Sequence, residues 1–223
     1  YLSMDYSPGL RGVVAGETAI STVGMEGTSL RYRGYDAINL AKTHTYEAVA
    51  SLIINDSLDD KDYKKSFSNY YSQISKDKNL NVLLEESKEK LHPMDVIRTI
   101  VSYIGELTTL MKTTLDNQDK TELSARINAT VCYVIASYHN EICDELDDKY
   151  LIASSLLPNN ADKEKLEALD DMLILYAEHG FNASTFAARV TASTRSDLTS
   201  AIVSGIGTLK GELHGGANEE AVK

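Results

Sequence analysis

Tryptophan is missing from this sequence, proline occurs three times and cysteine twice, and no apolar run is long enough to cross a bilayer. A membrane-spanning helix needs roughly 18–20 apolar residues, so no such helix is expected. Cys132 and Cys143 fall on what reads as one helix, about 16 Å apart along its axis at about 1.5 Å per residue, which excludes a mutual disulfide. There is no CxxC and no Cys/His cluster with metal-ligand spacing, so no structural metal is expected. Basic residues are in deficit: 22 Lys and Arg stand against 33 Asp and Glu, a formal net charge of −11. Such a chain repels a polyphosphate backbone, which excludes the usual nucleic-acid binders. The first residues, Tyr1-Leu2-Ser3-Met4-Asp5, lack a basic stretch followed by an apolar one, so no secretory leader is expected. Together these absences point to a reduced, cytoplasmic protein without an internal repeat.

What is present suits a globular domain. Hydrophobic residues make up 43% and charged residues 25%, enough for a real core in a chain of 223 residues. Residues 1–35 read differently from the rest: β-prone runs at Glu17–Val23 and Thr28–Arg33 flank Gly24-Met25-Glu26-Gly27, the pattern of a small hairpin. From Asp36 onward the pattern is helical. Thr45 can cap a helix carrying Val49, Leu52 and Ile53, and the polar stretch Leu58–Asn79 reads as a surface helix plus loop. Pro93 suits the first turn of a helix whose stripe runs Met94, Ile97, Val101, Ile104 and Leu107. A second long helix is expected over Glu122–Glu145, with Leu123, Ile127, Val131, Val134, Ile135, Tyr138 and Ile142 inward. Asp144–Lys149 and Pro158–Asp162 are polar punctuation, and Lys163–His179 is helical again through Leu166, Leu169, Leu173 and Tyr176. Between Asn182 and Leu209 small residues dominate (Ala183, Ser184, Ala187, Ala188, Ala192, then Ala201, Ser204, Gly205, Gly207), which predicts two helices packed deeply, if need be against a second subunit. The expected fold is mostly α, with a short N-terminal β-hairpin in residues 1–35 and a helical domain over 36–223.

Five histidines are candidates for chemistry. His44 precedes a helix cap, His92 precedes Pro93 and His139 sits in a charged stretch, so structural or solvent-facing roles are expected for these three. His179 and His214 have different settings. His179 ends an apolar helix in Ala177-Glu178-His179-Gly180-Phe181-Asn182-Ala183-Ser184, where Gly180 lets the chain turn and Asn182 or Ser184 can cap the next helix. His214 lies in Lys210-Gly211-Glu212-Leu213-His214-Gly215-Gly216-Ala217-Asn218, with glycines that leave its ring and the neighbouring N–H groups open and a helix N-terminus expected next. Each also has a plain alternative as a capping residue. A phosphate loop over 205–216 is excluded, since there is no GxxxxGK[ST] and no preceding strand.

Tyr176–Phe186 and Leu209–Glu219 resemble the two signature segments of the citrate synthase family. Gly9-Leu10-Arg11-Gly12-Val13, Leu30–Asp36 and His92-Pro93-Met94-Asp95-Val96 match it as well, and Ala15–Gly24 is most similar to its 2-methylcitrate synthase branch. The resemblance runs in order from about residue 9 to the last residue. It implies a largely helical homodimer that condenses acetyl-CoA or propionyl-CoA with oxaloacetate, with acyl-CoA as substrate and no metal or other cofactor. Carried over by position, His214 hydrogen-bonds the thioester carbonyl as it enolises and Ser184 orients it; His179 binds oxaloacetate and Asn182 supports the cluster. A developing enolate needs a donor aimed at its oxygen, and a fixed imidazole meets that need.

The pattern also departs from the family. Its carboxylate base, a further histidine in a Phe-Gly-His segment and several arginines lie downstream of the matched stretch, mostly in a small domain. Ala221-Val222-Lys223 is expected to fall in mid-helix with the small domain absent, so this chain alone is expected to show no turnover; Glu219 and Glu220 do not replace the base. Glu212 stands where the family usually has proline, which either weakens CoA binding or leaves the acid in solvent. The rival reading is a non-catalytic helical dimerisation module, which the small-residue helices serve equally well. An unrelated small-molecule binding protein has no feature in its favour.

Overall fold

The computed structural model describes residues 14–24, 29–105, 115–138, 142 and 145–215. Among the described residues three two-residue strands come first: β1 (Ser21–Thr22), β2 (Arg31–Tyr32) and β3 (Tyr35–Asp36), antiparallel in that order. Ser21 faces Tyr32 across the first ladder, and Tyr32 faces Tyr35 across the second. The expected hairpin is therefore present and carries a third strand, added through a two-residue turn at Arg33-Gly34 with φ of 48° and 87°. Both residues in the left-handed region match the twist of a tight hairpin. The tip expected at 25–27 lies outside the described residues.

Asp36 ends the sheet and caps α1 (Ala37–Thr43), its carboxylate accepting from the Asn39 N–H. There follow α2 (Tyr46–Asn55), α3 (Lys61–Lys76), α4 (Lys78–Lys88), α5 (Pro93–Gly105), α6 (Asn117–Tyr138), α7 (Leu151–Leu156), α8 (Lys163–Leu175), α9 (Ala183–Ser193) and α10 (Leu198–Leu209). Side chains of Asp77, Asp162, Asn182 and Asp197 cap α4, α8, α9 and α10. Thr45 holds the cap position of α2 without a side-chain cap bond; the Tyr46 N–H goes instead to both carboxylate oxygens of Asp170.

The core is organised around α6, which is buried on nearly every face through Leu123, Ala125, Ile127, Ala129, Cys132, Tyr133, Val134 and Ala136. Tyr63, Phe67, Tyr71 and Ile74 of α3, Leu80 and Leu84 of α4, and Val96, Ile100 and Ile104 of α5 close around it. Each fully buried apolar side chain of this size contributes about 1.5–3 kcal/mol. A second cluster joins the sheet to the helices: Tyr32, Ala37, Leu40, Val49, Leu52 and Ile174.

Several local expectations are corrected. The stretch 58–79 is more than a polar surface helix plus loop: α3 exposes its polar side but lays Tyr63, Phe67, Tyr71 and Ile74 against α6, and α4 follows directly after Asp77. On α5 the inward residues are Val96, Ile100, Val101 and Ile104, with Met94 and Ile97 half-buried; Leu107 lies outside the described residues. The helix expected over 122–145 starts five residues earlier and runs to Tyr138, and Val131, Ile135 and Tyr138 are half-buried. α8 stops at Leu175 rather than reaching His179, leaving Tyr176 77% exposed, because the Tyr32 hydroxyl takes the Ile174 carbonyl and the chain turns away. The small-residue helices do approach closely: a Cβ at Gly205 would stand 3.4 Å from the Ser184 carbonyl oxygen. Within the chain they are not deeply packed, however. α9 has no buried residue, and only Thr199 and Ala201 of α10 are buried, since small side chains facing each other leave the outer surfaces uncovered. Cys132 is a free, buried thiol, pushed up to about 12 by desolvation; Cys143 lies outside the described residues.

Candidate functional site

Two turns carry the candidate residues. The first joins α8 to α9. Gly180 adopts φ +92°, which other residues resist, and its carbonyl accepts from the Asn182 N–H. Asn182 then caps α9: its Oδ1 accepts from the Thr185 N–H at 2.7 Å. The second turn follows α10, where the Gly211 N–H bonds Thr208 and the His214 N–H bonds Gly211.

The close approach of α9 and α10 brings these turns together in one hydrogen-bonded chain. The Asn182 amide Nδ2 lies 3.3 Å from His179 Nε2, the Ser184 Oγ donates to Asn182 Oδ1 at 2.7 Å, and His214 Nε2 lies 3.0 Å from Ser184 Oγ. All four residues singled out from the sequence are members. The orientation of Asn182 follows from its cap, because Oδ1 must face the Thr185 N–H. Its Nδ2 can only donate, so His179 Nε2 accepts and the proton of that ring sits on Nδ1. Ser184 has a single hydroxyl proton. While it points to Asn182, His214 donates from Nε2; turned to His214, it leaves Nδ1–H as the donor. His179 is exposed, whereas Asn182, Ser184 and His214 are half-buried.

Supporting contacts reach this chain from two sides. Glu178 Oε1 accepts from the Gly180 N–H at 2.5 Å and from the Ser21 hydroxyl at 3.2 Å. Arg189 stacks over the Phe181 ring at 4.5 Å. On the other turn, Lys210 Nζ lies 2.6 Å from Asp95 Oδ2, and Arg98 pairs with the other oxygen at 2.9 Å. The Lys210 hydrogen bond, above all, holds the Asp95 carboxyl below its usual range. Sequence reasoning named none of Glu178, Ser21, Tyr32 or the Asp95–Lys210 pair as site residues; only the neighbourhood of Glu178 to His179, and of Asp95 to Pro93, hinted at them. Glu212 is exposed, so its charge faces solvent at this turn. His44 lies against the Thr43 hydroxyl and His92 accepts from the Met94 N–H; His139, like 216–223 and the helix expected there, lies outside the described residues.

Gly215 is fixed by crowding. A Cβ there would lie 2.4 Å from the Leu209 carbonyl oxygen and 2.8 Å from its Cδ1. Gly215→Ala is therefore expected to cost about 1–3 kcal/mol and to pull His214 away from Ser184. Thermal unfolding and the His214 ring resonances in NMR measure the two effects; unchanged resonances would show that the turn absorbs the methyl group.

A cleft of about 450 Å³, bordered by Leu83, Arg98, Thr99, Ser102, Tyr103 and Val203, opens between α4, α5 and α10. Val203 and Gly207 face α5 while Gly205 faces α9, so this cleft lies across α10 from the histidines. Among the described residues no group of three or more His, Cys, Asp or Glu could hold a metal ion, and no helix is long and apolar enough to cross a membrane.

Comparison with known proteins bears on these motifs. The family model described as citrate synthase, C-terminal domain, matches residues 9–223. A 2-methylcitrate synthase of Shewanella oneidensis is 42% identical over 96% of this chain and 59% of its own length. A citrate synthase of Mycolicibacterium smegmatis is 37% identical over 95% of this chain and 58% of its own. The solved ternary complex of Thermoplasma acidophilum citrate synthase with carboxymethyl coenzyme A and oxaloacetate superposes with a TM-score of 0.84 at 26% identity, over 98% of this chain and 59% of that one. The chain thus spans about three fifths of the length of the relatives it matches.

Proposed function

The chain belongs to the citrate synthase family, and from that premise we propose that it supplies the acyl-activating half of a site that condenses acetyl-CoA or propionyl-CoA with oxaloacetate. The observation that carries this reading is the continuous chain His179–Asn182–Ser184–His214. Enolising a thioester puts negative charge on its carbonyl oxygen, and a positioned donor there stabilises the transition state most effectively. For this role the Ser184 hydroxyl turns its proton from Asn182 Oδ1 to His214 Nε2, giving up the 2.7 Å bond while Asn182 Oδ1 keeps the Thr185 N–H as donor. His214 then offers Nδ1–H to the thioester oxygen. His179, with its proton on Nδ1, donates to an oxygen of oxaloacetate. Among the described residues no carboxylate hydrogen-bonds either imidazole, so the base that takes the α-proton is none of the partners of these two rings. The substrate acyl group, acetyl or propionyl, follows the mixed names of the relatives and is not narrowed by these four residues. The division into an N-terminal segment (1–35) and a helical domain (36–223), a cytoplasmic location and independence from metals and other cofactors belong to the same reading.

We also infer a homodimer. α9 buries none of its residues within the chain, and Met172, Leu175, Tyr176 and Val190 stand exposed on α8, α9 and the turn between them. This open face equally supports the second reading, a dimerisation module without chemistry. Ligand binding by the 223-residue chain separates the two. A ligand at about 100 times its Kd stabilises by about 2.7 kcal/mol, so oxaloacetate should raise the melting temperature measurably. H179A should reduce that rise to a small remainder, and H214A should leave it in place while removing any further rise with an acyl-CoA. A dimer by solution mass whose melting temperature ignores millimolar oxaloacetate would refute the catalytic reading and leave the module.

A further inference from the structure

We propose that Glu178 is a positioning residue for His179, locked from one face of the N-terminal sheet by the cross-strand hydroxyl pair Ser21 and Tyr32. The inference rests on the reading of His179 as an oxaloacetate ligand and adds what holds that ring in place. Ser21 and Tyr32 are direct partners in the β1–β2 ladder. Residues opposite each other across an antiparallel ladder project on the same side, so both hydroxyls reach the same neighbour. That neighbour is the segment that turns from α8 into α9. The Tyr32 hydroxyl, on a side chain with no exposure, donates to the Ile174 carbonyl at 2.8 Å and lies 3.3 Å from the Leu175 carbonyl, fixing the start of the turn. Ser21, also buried, donates to Glu178 Oε1 at 3.2 Å.

The same Glu178 oxygen accepts the Gly180 N–H at 2.5 Å, so the carboxylate spans the residue that carries the imidazole. With Glu178 tied to the sheet, Gly180 held at φ +92° and the Asn182 N–H on the Gly180 carbonyl, His179 is the one side chain of residues 178–180 directed to the Asn182 amide. There is little spare room around the clamp: a Cβ at Gly16 would lie 3.2 Å from the Phe181 ring, and one at Gly180 3.9 Å from Val23. The sheet, remote in sequence from the histidines, is thereby the mould of their first turn.

The test compares E178A, E178Q, S21A, H179A and the E178A/H179A double variant in the 223-residue chain. Oxaloacetate affinity is expected to fall about tenfold in E178A and to recover to within about threefold in E178Q, whose amide oxygen still accepts both bonds. S21A should lie between the two. The double variant should bind no worse than H179A alone, because Glu178 acts through that ring. Additive losses, or an E178A chain that binds as the parent does, would overturn the proposal. If the parent itself binds no oxaloacetate, the function reading fails on its own, and the His179 ring resonances still decide: shifted and broadened in E178A but parental in E178Q supports the clamp, and parental in both refutes it.

Discussion

At about pH 8 the Asp170→Asn chain is expected to unfold at a higher urea concentration than its parent, and at about pH 4 that advantage should vanish. Asp170 is 1% exposed in the middle of α8, with both oxygens 3.1 Å from the Tyr46 N–H. Beside it Glu47 is fully buried, its Oε1 accepting from the Ile152 N–H at 2.7 Å and its Oε2 without a hydrogen-bond partner among the described residues. Burial lifts the Asp170 carboxyl from 3.8 to about 7; Glu47 and Asp171 push the same way, against the Tyr46 N–H and Lys149. Glu47 is likewise raised, chiefly by burial. A raised acid means the folded state keeps a proton that the unfolded chain releases. Stability is therefore undiminished below about pH 4, falls as the pH climbs to about 7, and stays low above that. That rise corresponds to about 4 kcal/mol, from which roughly 1–2 kcal/mol is lost because an amide replaces one acceptor oxygen, leaving a gain of about 2–3 kcal/mol. Urea midpoints across this range measure it. Parallel pH curves for parent and variant would show that Asp170 is ionised in the folded chain at no cost. Glu47 should leave a residual slope of the same sign in the variant.

The site and the fold differ in how they can be read from residues. The two histidine segments were recognisable because each packs its information into about ten adjacent residues: a helix end, a glycine turn and a cap. Their union was not derivable, since the Ser184–His214 bond joins residues 30 apart and depends on how closely α9 approaches α10. Ser21 and Tyr32 were invisible for the same reason, acting over separations of 157 and 142 with hydroxyls that follow no period. The helices were recoverable where apolar residues were plentiful, as on α5 and α6. On α9 small residues suggested depth, but a small side chain covers little area, and the helix remains open on its outer side.

Phe67→Ala is expected to cost about 3–5 kcal/mol, the usual price of emptying an aromatic site in a core. Such a loss would not be guessed from the stretch Lys61–Lys76, whose lysines, serines and asparagine give it a polar average. Averages hide a stripe: Tyr63, Phe67, Tyr71 and Ile74 recur at spacings of three and four, so all four fall on one helical face. That face meets the small side chains Ala125, Ala129 and Cys132 of α6, which leave room for rings. Phe67 has no exposed surface and stacks on Tyr71 with centroids 5.9 Å apart, while Tyr71 meets Tyr133 edge-on at 5.7 Å. The rings form a rigid wall between α3 and α6, so the neighbours cannot readily collapse into the space left by alanine. Val82→Ala, on an exposed position of α4, should change stability by no more than about 0.5 kcal/mol and serves as the comparison. Equal urea midpoints for the two variants would mean that the apolar stripe of α3 is not packed, and that the packing of α6 is supplied from elsewhere.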